Sequence, residues 1–584
     1  MKRLIIVEAV RYGRDESAPR NLLSLTIFTP TRDSWRVLFR WTQLSPVMDD
    51  AQQSNVLFVV LDTVRKDRLG PYGYERETTP ELSAFAQEAT VFESAVAPAP
   101  WTLPVHASLF TGRYPSQHGA DQGSPYLEDE TTLAEVLSAA GYDTACYSSN
   151  AWITPYTGLT DGFDAQDSFF EVLPGDVLSG PLASAWQTVN DNDYLRDLAS
   201  KLVRLGAMAH EKLASGEGAD TKTPSVIDRT KSFVDDSESD EGWFAFVNLM
   251  DAHLPYYPPE EYREEFAPGV DPGSVCQNSK EYNSGARDID DEEWEAIRGL
   301  YDAEIAHMDA ELGRLFDWLR ETGQWEETTV VVCADHGELH GEHDLYGHEF
   351  ALYDQLINVP LLVKHPALEA DRRDDLVELL DCYHTVLEAL DVDPDDAIAP
   401  ADDGSVAGRD PTRSLLSSEY RAFEAAPEPD PGQRAVLDAA GDGASDDASS
   451  GDVADDYAFV EYAQPVIELH HLEEKASEAG IELPDDHRAY SRLRAARSTD
   501  AKYVRADRIP DEGYRLDEDP AESTPVDPAD DEVVAAAERA LARFEQAAGG
   551  AWIDPSETDA EDADALAEAD EETRDRLREL GYLE

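Results

Sequence analysis

Val56-Leu57-Phe58-Val59-Val60-Leu61-Asp62 is a short, unbroken apolar run that ends on an aspartate, and the chain repeats this pattern twice more. The second run is Phe244-Ala245-Phe246-Val247-Asn248-Leu249-Met250-Asp251. The third is Val330-Val331-Val332-Cys333-Ala334-Asp335, followed at once by His336. Runs of this length read as strands buried on both faces, as in a parallel sheet covered by helices. In such sheets ligands bind beyond the carboxyl ends of the strands. If the three strands are parallel neighbours, three carboxylates and an imidazole converge on one edge. Like charges crowded in a low-dielectric cleft repel, so a bound cation is the natural counterweight. Three unrelated helix caps or turn aspartates are the alternative.

Around these runs, strands and helices alternate from residue 55 to about 395, the pattern of a layered α/β domain. Leu133 to Ala140 reads as a helix closed by Gly141, and Thr144 to Ser148 as a strand ending near Asn150. The clearest helix spans about Asp290 to Arg320. Its apolar residues Trp294, Ile297, Tyr301, Ile305, Met308, Leu312, Leu315 and Leu319 step by three or four, with Gly323 as a stop. His307 lies off that stripe and reads as a surface residue. Residues 165–230 and 258–290 look like insertions over the core. Residues 425–456 form a polar, acidic, low-complexity stretch, expected to be a disordered loop or linker. Ordered text resumes at Tyr457 and reads as strands of a smaller second unit. The expected organisation is an atypical extension (1–47), a catalytic domain (48–395), a smaller C-terminal subdomain (396–530) and an acidic helical tail (531–584).

The 584 residues carry 123 acidic against 47 basic side chains, a formal net charge of −76. Nucleic-acid binding is disfavoured, because phosphate contacts need a basic surface. The apolar runs and ten tryptophans argue against general disorder. The balance is of haloarchaeal type: a carboxylate-coated protein that stays hydrated at high salt, where screening removes self-repulsion. Residues 1–47 differ, with eight basic and four acidic side chains, and Met48 is expected to be the true start. The four cysteines, Cys146, Cys276, Cys333 and Cys382, show neither metal-ligand spacing nor a disulfide pattern. No apolar run reaches the about 18 residues of a membrane span, and Leu4 to Val7 is too short for a signal-peptide core. A cytoplasmic location is the expectation.

Between the first two Asp-terminated strands stands Ala99-Pro-Trp-Thr-Leu-Pro-Val-His-Ala-Ser-Leu-Phe-Thr-Gly-Arg-Tyr-Pro. Thr102 reads as the cap of a short helix with Pro104 in its first turn and Gly112 after its end. A hydroxyl there gains from the helix dipole and free N–H groups, which stabilise an alkoxide and an oxyanion substrate alike. A divalent metal beside it could make it a nucleophile; a plain threonine cap is the other reading. Asp335-His-Gly-Glu-Leu-His-Gly-Glu-His-Asp-Leu-Tyr-Gly-His is dense in ligand-type residues. Asp335 and His336 share a strand end. His340, His343 and His348 follow in a glycine-rich loop, with His348 the candidate for the site. Met250-Asp-Ala-His-Leu-Pro-Tyr puts Asp251 and His253 two apart at another strand end.

Asp62-Thr-Val-Arg, the Thr102-Leu-Pro-x-His box with its Leu-x-Thr-Gly-Arg-Tyr-Pro continuation, Met250-Asp-Ala-His-x-Pro-Tyr, and Asp335-His-Gly-Glu through Gly-Glu-His-x-Leu-Tyr-Gly-His together resemble the sulfatase family of the alkaline phosphatase superfamily. The resemblance spans roughly residues 55 to 370 in the family's order. Tyr514-Arg-Leu-Asp-Glu-Asp-Pro-Ala-Glu resembles the family's C-terminal Leu-x-x-Asp-Pro-x-Glu signature. It implies a large mixed, mostly parallel sheet sandwiched by helices, a smaller C-terminal sheet, and a metal at the strand ends. It further implies Asp62, Asp335 and His336 as metal ligands and Thr102 as the nucleophile. His253 and His348 would contact the transferred group or its leaving oxygen, and Asn150 would lie near the substrate anion.

The departures from the family also count. Typical sulfatases carry Cys or Ser at the place of Thr102, followed by Pro and Arg, and convert it to formylglycine. Threonine cannot become that aldehyde, and His106 stands where the arginine is expected, as a substrate-binding candidate. The paired Asp-Asp is Asp62-Thr63, Asp-Asn is Asp335-His336, and the two lysines are replaced by Ser149 and His348. Fewer cations and more imidazoles lean toward the superfamily's metallophosphoesterases, which use threonine. With Asp251, His253 and His348, a second metal is conceivable. The leading expectation is a metal-dependent sulfate-ester hydrolase with one divalent ion. A mixed carboxylate–imidazole set suits zinc or manganese better than calcium. A phosphodiesterase, phosphonate monoester hydrolase or phospho-group transferase is the alternative, and a non-catalytic binder of anionic glycans is an alternative of another class.

Overall fold

The three Asp-terminated runs become three adjacent parallel strands. The computed structural model describes residues 55–121, 126–127, 130–167, 222–398, 410–417, 420, 457–463 and 466–548, with the backbones of three N-terminal strands. An eight-stranded sheet is built from β1 (Asn55–Leu61), β2 (Thr90–Val96), β3 (Asp143–Ser148), β4 (Ala165–Asp167), β5 (Trp243–Leu249), β6 (Thr328–Cys333), β7 (Asn358–Lys364) and β8 (Arg372–Glu378). Their order is β8-β2-β7-β6-β1-β5-β3-β4. Only β7 runs against the others, so the sheet is mixed and mostly parallel. Every side chain from Val56 to Val60 is fully buried, because both faces are covered.

Register sets which side chains share a face. Leu61 lies opposite Leu249, and Val60 lies opposite both Asn248 and Cys333. Counting two residues on, Asp62 comes level with Asp335, while Asp251 stands one residue beyond the level of Asp62. A one-residue offset points a side chain to the other face of a sheet.

The long helix runs Asp291–Thr322, with Asp290 accepting from the Glu293 amide at 2.9 Å and Gly323 closing it at φ 79°. The predicted stripe is buried throughout. A second, polar face is buried too, through Asp302, Glu304, His307 and Asp309. The expectation of a surface His307 is therefore corrected: the helix is wrapped on more than one side, and His307 turns inward to Asp251. The predicted helix before Gly141 is Leu133–Ala139, started by a capping box between Thr132 and Glu135. The insertion at 258–290 contributes the helices Glu260–Phe266 and Ser279–Asn283. Of the insertion at 165–230, β4 and the start of the helix Thr223–Asp236 are described, and residues 168–221 lie outside the described part.

Four further strands, β9 (Ala458–Tyr462), β10 (Leu493–Arg497), β11 (Ala501–Ala506) and β12 (Glu512–Arg515), form an antiparallel meander in that order. The helix Glu532–Ala547 covers it, with Phe544 stacked on Phe459 at 4.3 Å between ring centres. Lys502 is buried against Glu522 at 2.5 Å, and Glu522 accepts from the Asp354 amide, so the signature glutamate ties this sheet to the segment leading into β7 of the large sheet. All four cysteines are buried and free. Ile6–Glu8, Ser24–Pro30 and Trp35–Trp41 make an antiparallel sheet in a separate unit spanning Met1–Gln52. Met48, the stretch 425–456 and the tail beyond residue 548 lie outside the described residues. Among the described residues, no helix is long and apolar enough to cross a membrane.

Candidate metal centre and nucleophile

Asp62, Asp335 and His336 bring a ligand atom each to within 4.8 Å of one another, and all three are fully buried. The turn after Asp62 is held in an unusual shape. Thr63 has φ 58°, a left-handed conformation costly for a β-branched residue. Tyr301 of the long helix fixes it by donating to the Thr63 carbonyl at 2.7 Å and accepting from the Arg65 amide at 2.8 Å. Asp335 Oδ1 accepts from the amides of Thr63 at 3.2 Å and His336 at 2.9 Å.

These contacts aim the remaining oxygens. Asp62 Oδ2 accepts from the side-chain amides of Asn150 at 2.8 Å and Asn248 at 3.2 Å. Asp62 Oδ1 and Asp335 Oδ2 are buried and have no hydrogen-bond partner. They stand 4.0 and 3.4 Å from His336 Nε2. His336 Nδ1 lies 3.0 Å from the Gly337 carbonyl, which can only accept, so the neutral ring keeps its proton there and turns the Nε2 lone pair to the carboxylates. Two bare carboxylate oxygens and a nitrogen lone pair facing each other in a buried pocket fit a divalent cation. Burial, followed by His348, holds His336 well below the usual imidazole range, and burial pushes Asp335 up to about 6.

Thr102 is the first residue of the helix Thr102–Thr111, and Trp101 occupies the cap position. This corrects the expectation of a threonine cap: the hydroxyl caps nothing and is left for the site. Its Oγ1 is 3.4 Å from His336 Nε2 and accepts from Asn150 Nδ2 at 3.3 Å. Gly112 ends the helix at φ 66°, as its position implies. One turn along, His106 bonds through Nδ1 to the Thr102 carbonyl at 2.9 Å and lies 3.8 Å from Asp335 Oδ2. Burial pushes it down to about 4, so it is neutral at pH 7. It packs edge-on to Phe246 at 5.6 Å, which also meets Phe58 and Phe110.

The His348 ring lies tilted against His336, ring centres 4.5 Å apart, with the His253 ring 5.4 Å from it. Its Nδ1 is 3.2 Å from Glu338 Oε1. Burial would lower His348, but the Glu338 and Glu349 carboxylates outweigh it and raise it to about 9. Of the other loop histidines, His340 bonds Tyr256 at 3.0 Å and His343 stacks on Tyr353 at 3.5 Å. Asp251 does not join the three-residue cluster. It bonds His307 at 2.7 Å and Thr223 at 2.9 Å, as its offset in register requires. Asn248 and Glu338 are the residues the sequence reading passed over. A lone asparagine in the apolar β5 run, in phase with Asp62, was the available signal for the first.

A mixed, mostly parallel sheet with a carboxylate–imidazole cluster and a hydroxyl at its carboxyl edge defines an alkaline-phosphatase-like protein. The sulfatase family model matches residues 54–392, more than half of the chain, and the chain belongs to that family. It is 26% identical over 342 residues to an ulvan-active sulfatase of Formosa agariphila, covering 56% of this chain and 58% of that protein's length. It is 28% identical over 392 residues to the multifunctional alkaline phosphatase superfamily protein PehA of Trinickia caryophylli, covering 58% of this chain and 74% of that one. The crystal structure of a phosphonate monoester hydrolase of Agrobacterium radiobacter superposes with a TM-score of 0.55 at 21% identity, over 84% of this chain and 95% of that chain, a likeness of fold.

Proposed function

We propose that the chain is a metal-dependent hydrolase of sulfate esters that uses Thr102 as its nucleophile. One observation carries this reading: the bare oxygens of Asp62 and Asp335 and the lone pair of His336 converge within reach of the Thr102 hydroxyl, which caps no helix. Asp62, Asp335 and His336 would hold one divalent ion, zinc or manganese in preference to calcium. Such an ion polarises an ester oxygen and lowers the pKa of a hydroxyl beside it. Thr102, its hydroxyl proton released to water, attacks sulfur in line, its O–S bond forming as the bond to the leaving oxygen breaks. His348, or His253 beside it, gives the leaving oxygen its proton. Water then cleaves the S–O bond to Thr102 and releases sulfate. Asn150 donates to both Asp62 and Thr102, and so ties the nucleophile to the ligand set. His106 holds the start of the nucleophile helix through the Thr102 carbonyl.

Phosphodiester or phosphonate monoester hydrolysis is the second reading. It is favoured by imidazoles, rather than lysines, around a threonine nucleophile. The deciding assay places 4-nitrophenyl sulfate beside bis(4-nitrophenyl) phosphate, in molar salt after metal loading, with Thr102→Ala as control. Sulfate turnover lost in the variant supports the first reading, and turnover of the phosphodiester alone moves the chain to the second. No turnover of either ester by metal-loaded protein counts against both and for an anionic-glycan binder.

A further inference from the structure

His348 is carried on a short segment that two distant parts of the chain hold in place. On one side stands the helix Ser279–Asn283 of the 258–290 insertion. Its Asn283 pairs with the backbone of Tyr346, donating to the carbonyl at 2.7 Å and accepting from the amide at 2.9 Å. Its Ser279 packs so tightly on Gly347 that a Cβ at that glycine would lie 2.9 Å from the Ser279 Cβ. On the other side, Tyr462 of β9 accepts from the Phe350 amide at 3.0 Å.

Lys280 joins the two sides. Its ammonium pairs with Glu349, the residue next to His348, and with Glu468 of the C-terminal helix Val466–Ala479, the latter at 2.5 Å. Glu349 Oε1 in turn stands 4.0 Å from His348 Nε2. The Lys280 and Glu468 side chains are mostly buried, and that of Glu349 is 5% exposed, with Oε2 lacking any hydrogen-bond partner. Without the ammonium, two carboxylates would face each other in this pocket, and their repulsion would push Glu349 and the backbone at His348 away.

We propose that Lys280 is a positioning residue for proton transfer by His348, coupling the catalytic loop to the C-terminal subdomain. This rests on the reading of His348 as the group that protonates the leaving oxygen. An acid matters most when the leaving group is poor, so a misplaced acid leaves a signature in the leaving-group dependence that lost stability does not.

The test uses metal-loaded full-length protein and a series of 4-nitrophenyl, phenyl and 4-methoxyphenyl esters of whichever group the wild type transfers. His348→Gln should lose far more rate on the phenyl and 4-methoxyphenyl esters than on the 4-nitrophenyl ester. Lys280→Met should show the same slope, losing about 10- to 100-fold in kcat on the poor leaving groups and under about threefold on 4-nitrophenyl. Lys280→Arg should restore most of it. An equal loss across the series in Lys280→Met, or no loss, while His348→Gln keeps its slope, overturns the role of Lys280 alone. A flat series for His348→Gln overturns the acid assignment itself, and the role of Lys280 with it. If Lys280→Met fails to fold, Glu468→Gln, which removes only the C-terminal anchor, is read on the same series. A slope steeper than wild type supports the proposal and an unchanged slope overturns it.

Discussion

Asp335 Oδ2 stands 3.4 Å from the unprotonated Nε2 of His336, and neither Asp335 Oδ2 nor Asp62 Oδ1 beside it accepts a hydrogen bond. Buried carboxylate oxygens are seldom left in this state unless a cation belongs among them. The turn at Thr63, the amide pair at Asp335 Oδ1 and the two asparagines on Asp62 Oδ2 occupy every other oxygen.

Metal affinity should fall in acid. Burial raises Asp335 to about 6 in the metal-free protein, so below that pH a proton competes with the cation for its oxygen. The expected loss approaches about tenfold in affinity per pH unit below 6. Zinc titration calorimetry at pH 7 and pH 5 measures it, and equal affinities at the two values would count against Asp335 as a ligand.

Thr102→Ala should abolish turnover, by about a thousandfold or more, without loss of metal or of thermal stability. The hydroxyl caps no helix, so its removal costs the fold little. Steady-state kinetics with a melting curve separate the two effects, and residual activity near wild type would remove Thr102 from the mechanism.

Asn248→Ala should weaken metal binding about tenfold, since it frees an oxygen of Asp62 to rotate. The variant also loses contacts to Ser148 and His106, at 3.2 and 3.4 Å. Unchanged affinity would show that Asn150 alone orients Asp62.

How much of this was legible in the sequence follows from what each signal measures. Continuous apolar runs report burial on both faces, so β1, β5 and β6 and their shared edge could be read directly. Ligand-type residues at strand ends pointed to Asp62, Asp335 and His336. Register could not be read from one strand alone, and Asp251 therefore looked equivalent to Asp62 although it faces the other side, toward His307. His307 was hidden by the stripe itself, because an apolar stripe locates one buried face and is silent about a second one packed through polar pairs. Glu338 was legible only as part of a motif, its pairing with His348 being a product of the loop's path.

Acid should destabilise the fold partly through Glu342. Burial raises its pKa, but the salt bridge to Arg65 at 2.7 Å outweighs that and brings it to about 2 from 4.5. A folded pKa below the unfolded one gives stability that is complete above the unfolded value and lost as pH falls through about 2. Allowing for the partial exposure of Glu342, the contribution is roughly 2 kcal/mol. Urea melts at pH 7 and pH 3 should show Glu342→Gln closing part of the gap to wild type at the lower pH. An undiminished gap would assign the salt bridge no such role.

The ion proposed for Asp62, Asp335 and His336 is tested most directly by counting it. Native mass spectrometry of zinc-loaded protein, paired with ester turnover, should find one ion per chain in wild type and in Thr102→Ala, and none in the Asp62→Asn, Asp335→Asn double variant. Chelation should abolish turnover, and zinc or manganese should restore it. An ion retained by the double variant, or turnover that survives chelation, would contradict the account.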